Sequence, residues 1–137
     1  MTTRSRGRSL WRKARLTGEI LAQYAPLLRS MRRDDLETAV AVARAAPRTL
    51  PAGPRPDEHA AALRLGSSVR RVLAVLPTDS RCLIQSLVLV RVLARRGIGA
   101  ELVIGVQDGA LFAAHAWVEH DRRPLLPPGD FRVLTRL

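Results

Sequence analysis

Ser80-Arg81-Cys82-Leu83-Ile84-Gln85-Ser86-Leu87 opens the run whose reading decides the fold. Followed on to Ala94, its apolar residues Leu83, Ile84, Leu87, Val88, Leu89, Val90, Val92 and Leu93 cover most of a helix's circumference. A surface helix keeps a polar face, so a helix apolar nearly all round belongs at the centre of a domain. Leu76-Pro77-Thr78-Asp79-Ser80 is the turn before it, with Asp79 or Ser80 as the expected cap, and Arg95-Arg96-Gly97 supplies a basic last turn and a glycine stop. The only cysteine, Cys82, therefore sits at the helix start, where the dipole and the free N–H groups favour a thiolate.

After Gly97 the periodicity changes from helical to alternating. Ala100 to Val106 reads as a strand and Gln107-Asp108-Gly109 as a hairpin turn. A second strand is expected from Leu111 to His120, and a tight turn at Asp121-Arg122 leads to a short third strand, Arg123 to Leu126. The tail from Pro127 to Leu137 has room for one more short strand. In the second strand His115, Trp117 and Glu119 alternate onto one sheet face.

Upstream, Leu10, Trp11, Ala14, Leu16, Ile20, Leu21 and Tyr24 fit a helix beginning near Ser9, after a frayed Met1 to Gly7, and Pro26 should end or kink it. A second helix, capped by Asp34 or Asp35, carries Leu36, Ala39, Val40 and Ala43 on one face. The proline-rich stretch Pro47 to Pro56 is a loop, and Asp57-Glu58 start a third helix that runs to Pro77 with a soft spot at Gly66-Ser67-Ser68. His59 is expected on its exposed side. Helices first, then antiparallel strands, make an α+β domain, with the Cys-bearing helix packed on a small antiparallel sheet. One domain of 137 residues is expected, divided into a helical part with its loop (1–56) and a core (57–137).

Composition narrows the classes. The net charge is +11, but Lys13 is the only lysine and the arginines are spread along the chain, densest from Arg4 to Arg15. No stacking platform or reading motif accompanies them, which speaks against nucleic acid and leaves an acidic peptide or protein as the fitting partner. One Cys and three His at these spacings make no metal cluster. A lone thiol, no apolar run long enough to span a bilayer and no signal-like N-terminus lead to the expectation of a reducing cytosol.

Taken singly, Cys82 would be a small buried hydrophobe and His115 a half-buried strand residue. Together, a cysteine at a helix start and a histidine on a distant strand are how thiol acyl-transfer enzymes assemble a nucleophile and its base. Trp117 would wall such a site, and Glu119 would stand at its rim. The N–H of Cys82 is a natural oxyanion donor, with Gln85 as a weaker side-chain candidate and Ser86 bonding locally.

Three motifs in order, Cys82-Leu83-x-x-Ser86-Leu87-Val88-Leu89, then Arg96-Gly97-Ile98-x-Ala100-x-Leu102-Val103-Ile104-Gly105-Val106, then Phe112-x-Ala114-His115-Ala116-Trp117-Val118-Glu119, resemble the lasso peptide biosynthesis leader peptidases. These are transglutaminase-like cysteine proteases, and the short stand-alone form lacks a leader-recognition domain. The motifs cover residues 57–137; the helical half agrees in length and character only. The resemblance implies a transglutaminase-like or papain-like fold, Cys82 as nucleophile, His115 as general base and acid, and no cofactor or metal. It implies as partners the precursor's leader peptide, a separate small recognition protein and the macrolactam cyclase, with the basic helical half as docking surface. The family carries an Asp about twelve residues beyond the His, and here that count reaches Pro127, which cannot orient an imidazole. Asp130, three residues further on in the Pro-Pro-Gly loop, is the expected orienting acid, with a backbone carbonyl or a bare dyad, then Asp121 or Glu119, as the alternatives. A different acyl or amide transfer and a non-enzymatic basic binding module are the competing functions.

Overall fold

A computed structural model describes residues 3–49, 57–76, 81–109 and 111–137 of the chain. The loop from Leu50 to Pro56 and the caps expected at Asp79 or Ser80 lie outside the described residues. Four helices, α1 (Thr3–Arg33), α2 (Leu36–Arg44), α3 (Glu58–Leu73) and α4 (Arg81–Ala94), precede four strands, β1 (Glu101–Gln107), β2 (Ala113–His120), β3 (Arg123–Pro124) and β4 (Arg132–Arg136). The first three helices and the sheet all pack on α4, whose Ile84 to Val90, Val92 and Leu93 are buried. The all-round apolar helix is central, as its pattern requires. Among the described residues no helix is long and apolar enough to cross a membrane.

The first helix departs from expectation. It begins at Thr3, not near Ser9, and runs through Pro26 to Arg33. Pro26 removes the hydrogen bond to the carbonyl of Ala22, but both residues are exposed, so that carbonyl is open to solvent. On the opposite side Leu16, Ile20, Tyr24, Leu27 and Met31 keep helical spacing against the core and hold the helix through the break. The second helix is capped as expected: Asp35 accepts a hydrogen bond from the N–H of Thr38 at 2.8 Å.

Arginines tie the helical layer to the end of α4. Glu19 of α1 meets Arg95 at 3.2 Å and Arg96 at 2.8 Å. Arg91 donates to Gln23 of α1 and, at 3.1 Å, to the carbonyl of Val42 in α2. Arg44 donates to the carbonyls of Ala100, at 2.9 Å, and Leu137. Part of the basic excess is thus structural. Burial raises the Glu19 carboxyl, yet the hydrogen bond and charge of Arg96, with those of Arg95, outweigh it and hold the group below the usual carboxylate range.

The strands are antiparallel in the order β3-β2-β1-β4. The first three form the expected meander, but the tail does not continue it. It crosses back over the two middle strands and pairs with the far side of β1, with a bulge where the register slips between Ile104 and Gly105. Leu125 and Leu126 of this crossing segment are buried. Gly66 is not a soft spot but a contact point: a Cβ there would stand 2.6 Å from the carbonyl oxygen of Leu125. Beyond α4, Gly97 at φ +71 turns the chain as expected, and the N–H of Ile98 reaches back to Leu93 at 3.0 Å.

Two outcomes follow from this packing. Gly66→Ala should lower stability by about 1–3 kcal/mol through overpacking against backbone, while Gly18→Ala, on the open side of α1, should raise it by up to about 1 kcal/mol, both read from urea midpoints. Glu19→Gln should cost about 1–3 kcal/mol at neutral pH. Because the folded carboxyl is depressed, its contribution is whole above its ordinary value of 4.5 and is lost as pH falls through the lower folded value. Wild-type and variant midpoints should therefore converge on acidification.

Candidate catalytic site

Cys82 is the second residue of α4, so its N–H is one of the four at a helix start with no partner inside the helix. The residue is half-buried and packs against the core. Ser86 is committed locally, its hydroxyl donating to the carbonyl of Cys82 at 2.8 Å. Gln85, one turn deeper, is buried.

His115 lies on β2 opposite Gly105 of β1. Its Nε2 stands 2.8 Å from the carbonyl oxygen of Pro127. A carbonyl only accepts, so Nε2 is the donor, and the neutral tautomer that fits this bond has its lone pair at Nδ1. The residue twelve places beyond the histidine orients the imidazole after all, through its main chain and not its side chain. Asp130 is exposed in the following turn and is not the group on Nε2. Asp121 sits in the β2–β3 turn, where it faces His120 at 3.4 Å.

Aromatic rings hold the imidazole on its strand. Trp117 stacks beside it with centroids 5.9 Å apart, and Phe131, delivered by the crossing segment, lies at 5.1 Å. Gly105 makes the space for both: a Cβ there would stand 2.7 Å from the Trp117 ring and 2.8 Å from the Cβ of Phe131. Glu119, expected at the rim, is buried. It accepts a hydrogen bond from the Trp117 indole at 3.0 Å and faces Arg136 at 3.5 Å, so the carboxylate fixes the ring that packs on His115. The roles of Phe131 and Gly105 escaped the sequence because the crossing that brings them to His115 has no local signal.

The thiol and His115 are not hydrogen-bonded to each other; catalytic contacts of this kind often tighten only in the complex with substrate. Among the described residues no group of three or more His, Cys, Asp or Glu is placed to hold a metal ion. The two remaining histidines form a separate pair. His120 bonds through Nδ1 to the carbonyl of Gly99 at 2.8 Å and stacks on His59, which is half-buried and not on an exposed side. What the site can do is present one thiol at a helix start and one imidazole of fixed tautomer, the parts of a thiol acyl transfer.

A family model described as "Transglutaminase-like superfamily" matches residues 21–136 of the chain. No curated protein and no solved structure matches the chain.

The tautomer can be observed directly. In a long-range nitrogen–proton correlation spectrum, neutral His115 should show its proton on Nε2; a proton on Nδ1 would contradict the bond to Pro127.

Proposed function

The chain belongs to the transglutaminase-like superfamily, and from that premise we propose that it is a cysteine peptidase that removes the leader from a lasso peptide precursor. The observation that carries this reading is the His115 ring, protonated on Nε2 by its bond to Pro127 and free to act as a base at Nδ1. The only thiol, on the first turn of the central helix, supplies the nucleophile. The precursor type is supported by the three ordered motifs around Cys82, Gly97 and His115. The partners that go with it are the leader peptide, a separate small recognition protein that delivers it, and the cyclase that acts on the freed core. A reducing cytosol keeps the thiol available.

In the proposed reaction Nδ1 of His115 takes the proton of Cys82, and the sulfur attacks the scissile carbonyl carbon. The oxyanion is met by the N–H of Cys82, with Gln85 in support. The imidazolium gives its proton to the departing amine as the C–N bond breaks, leaving a thioester on the enzyme. Water, losing a proton to Nδ1, then attacks the thioester, releases the leader's new carboxyl end and restores the thiol. A main-chain carbonyl is a neutral partner for Nε2. It orients the ring and fixes its tautomer, but stabilises the imidazolium less than a carboxylate would.

The test is cleavage of a synthetic precursor in the presence of the recognition partner, followed by mass spectrometry in oxygen-18 water. Release of two peptides with one labelled oxygen is expected; an amide product without label would make the enzyme a transferase. Cys82→Ala and His115→Ala should each lower the rate by about a thousandfold or more. Full activity in Cys82→Ala would sink the peptidase and favour a binding module. Asp130→Ala, an exposed change, should stay within about twofold of wild type.

A further inference from the structure

We propose that the groove between α1 and α3 docks an acidic amphipathic segment of a partner protein. This open groove has a volume of about 630 Å³, between Lys13 and Leu16 on one helix and Leu63, Arg64, Arg71 and Val72 on the other. Its lining holds three cations and no carboxylate. Lys13, Arg64 and Arg71 have no ion-pair partner among the described residues, whereas Arg91, Arg95 and Arg96 are spent on Gln23 and Glu19. Leu16, Leu63 and Val72 add apolar surface to the lining, beside the hydroxyls of Thr17, Ser67 and Ser68, and Leu63 keeps 39% of its surface exposed. On α1, Leu10, 67% exposed, falls on the same helix face as Lys13 and Thr17.

One occupant satisfies both features. A helix or strand with Leu-like residues on one side and Asp or Glu along its flanks would cover the apolar surface and neutralise the three cations. A nucleic-acid backbone would meet the charges but leave Leu16, Leu63 and Val72 uncovered. A flat bilayer surface would not reach into a concave groove between two helices. The sequence placed the docking surface on the helical half alone; the groove takes most of its lining from α3, which also touches the crossing segment through Gly66. This proposal concerns binding and does not rest on the peptidase reading.

Fluorescence anisotropy at physiological salt tests it on the full chain. The probes are a labelled helical peptide of Glu, Ala and Leu with its Leu on one face, the same composition with Leu scattered, a single-stranded oligonucleotide and phosphatidylglycerol vesicles. The one-faced peptide should bind at least about tenfold tighter than the scattered one. Arg64→Glu with Arg71→Glu on α3, and separately Lys13→Glu on α1, should each weaken it by about tenfold or more, with an unchanged circular dichroism spectrum. The same affinity in Cys82→Ala keeps binding distinct from catalysis. Equal binding of the scattered peptide, preference for oligonucleotide or vesicle, or indifference to charge reversal on both helices would each overturn the proposal.

Discussion

The bond between Nε2 of His115 and the carbonyl of Pro127 joins the sheet's topology to its chemistry. A chain leaving β3 on one edge and entering β4 on the other must pass over the two strands between them. That passage brings a main-chain carbonyl over β2 and an aromatic ring over β1. Two absent side chains permit it. Gly66 lets the helical layer close onto Leu125, and Gly105 lets Trp117 and Phe131 fill the space beside the imidazole. The bulge in the β1–β4 pairing falls at Gly105, where bulges commonly re-aim side chains beside a working site. Remove the crossing, and the imidazole keeps its strand but loses its orientation.

The helical layer meets a different constraint. A central helix that is apolar all round contributes buried area but few directional contacts. Its last turns supply direction. Arg91, Arg95 and Arg96 reach Gln23, Val42 and Glu19, tying two helices to one end of α4. The other end is thus left to carry the thiol. In α1 the same economy appears at Pro26, where the hydrogen bond is broken on the wet face and the apolar stripe stays intact on the dry one.

Much of this was legible along the chain. The central helix, the Asp35 cap, the glycine after α4 and the β1–β2 pair follow from local periodicity and turn chemistry, which act between residues close in sequence. Local rules failed where the deciding partner was remote. Pro26 reads as a stop because its cost is local, and the burial that outweighs it comes from other helices. Glu119 reads as a rim residue because it is charged, and only the sheet supplies Trp117 and Arg136 to it. Gly66 reads as a weakness because the helix gains nothing from it; the gain belongs to Leu125.

The sequence by itself determined the α+β order, the central helix with Cys82 at its start, and the strand that carries His115. Each depends on patterns within about a dozen residues, where side-chain periodicity and caps dominate. The group that orients the imidazole was decided by the tertiary structure alone. A carbonyl is present at every residue and leaves no mark in the sequence, so proline at position 127 looked like a missing acid. Only the crossing of β2 and β1 shows that its oxygen stands on Nε2.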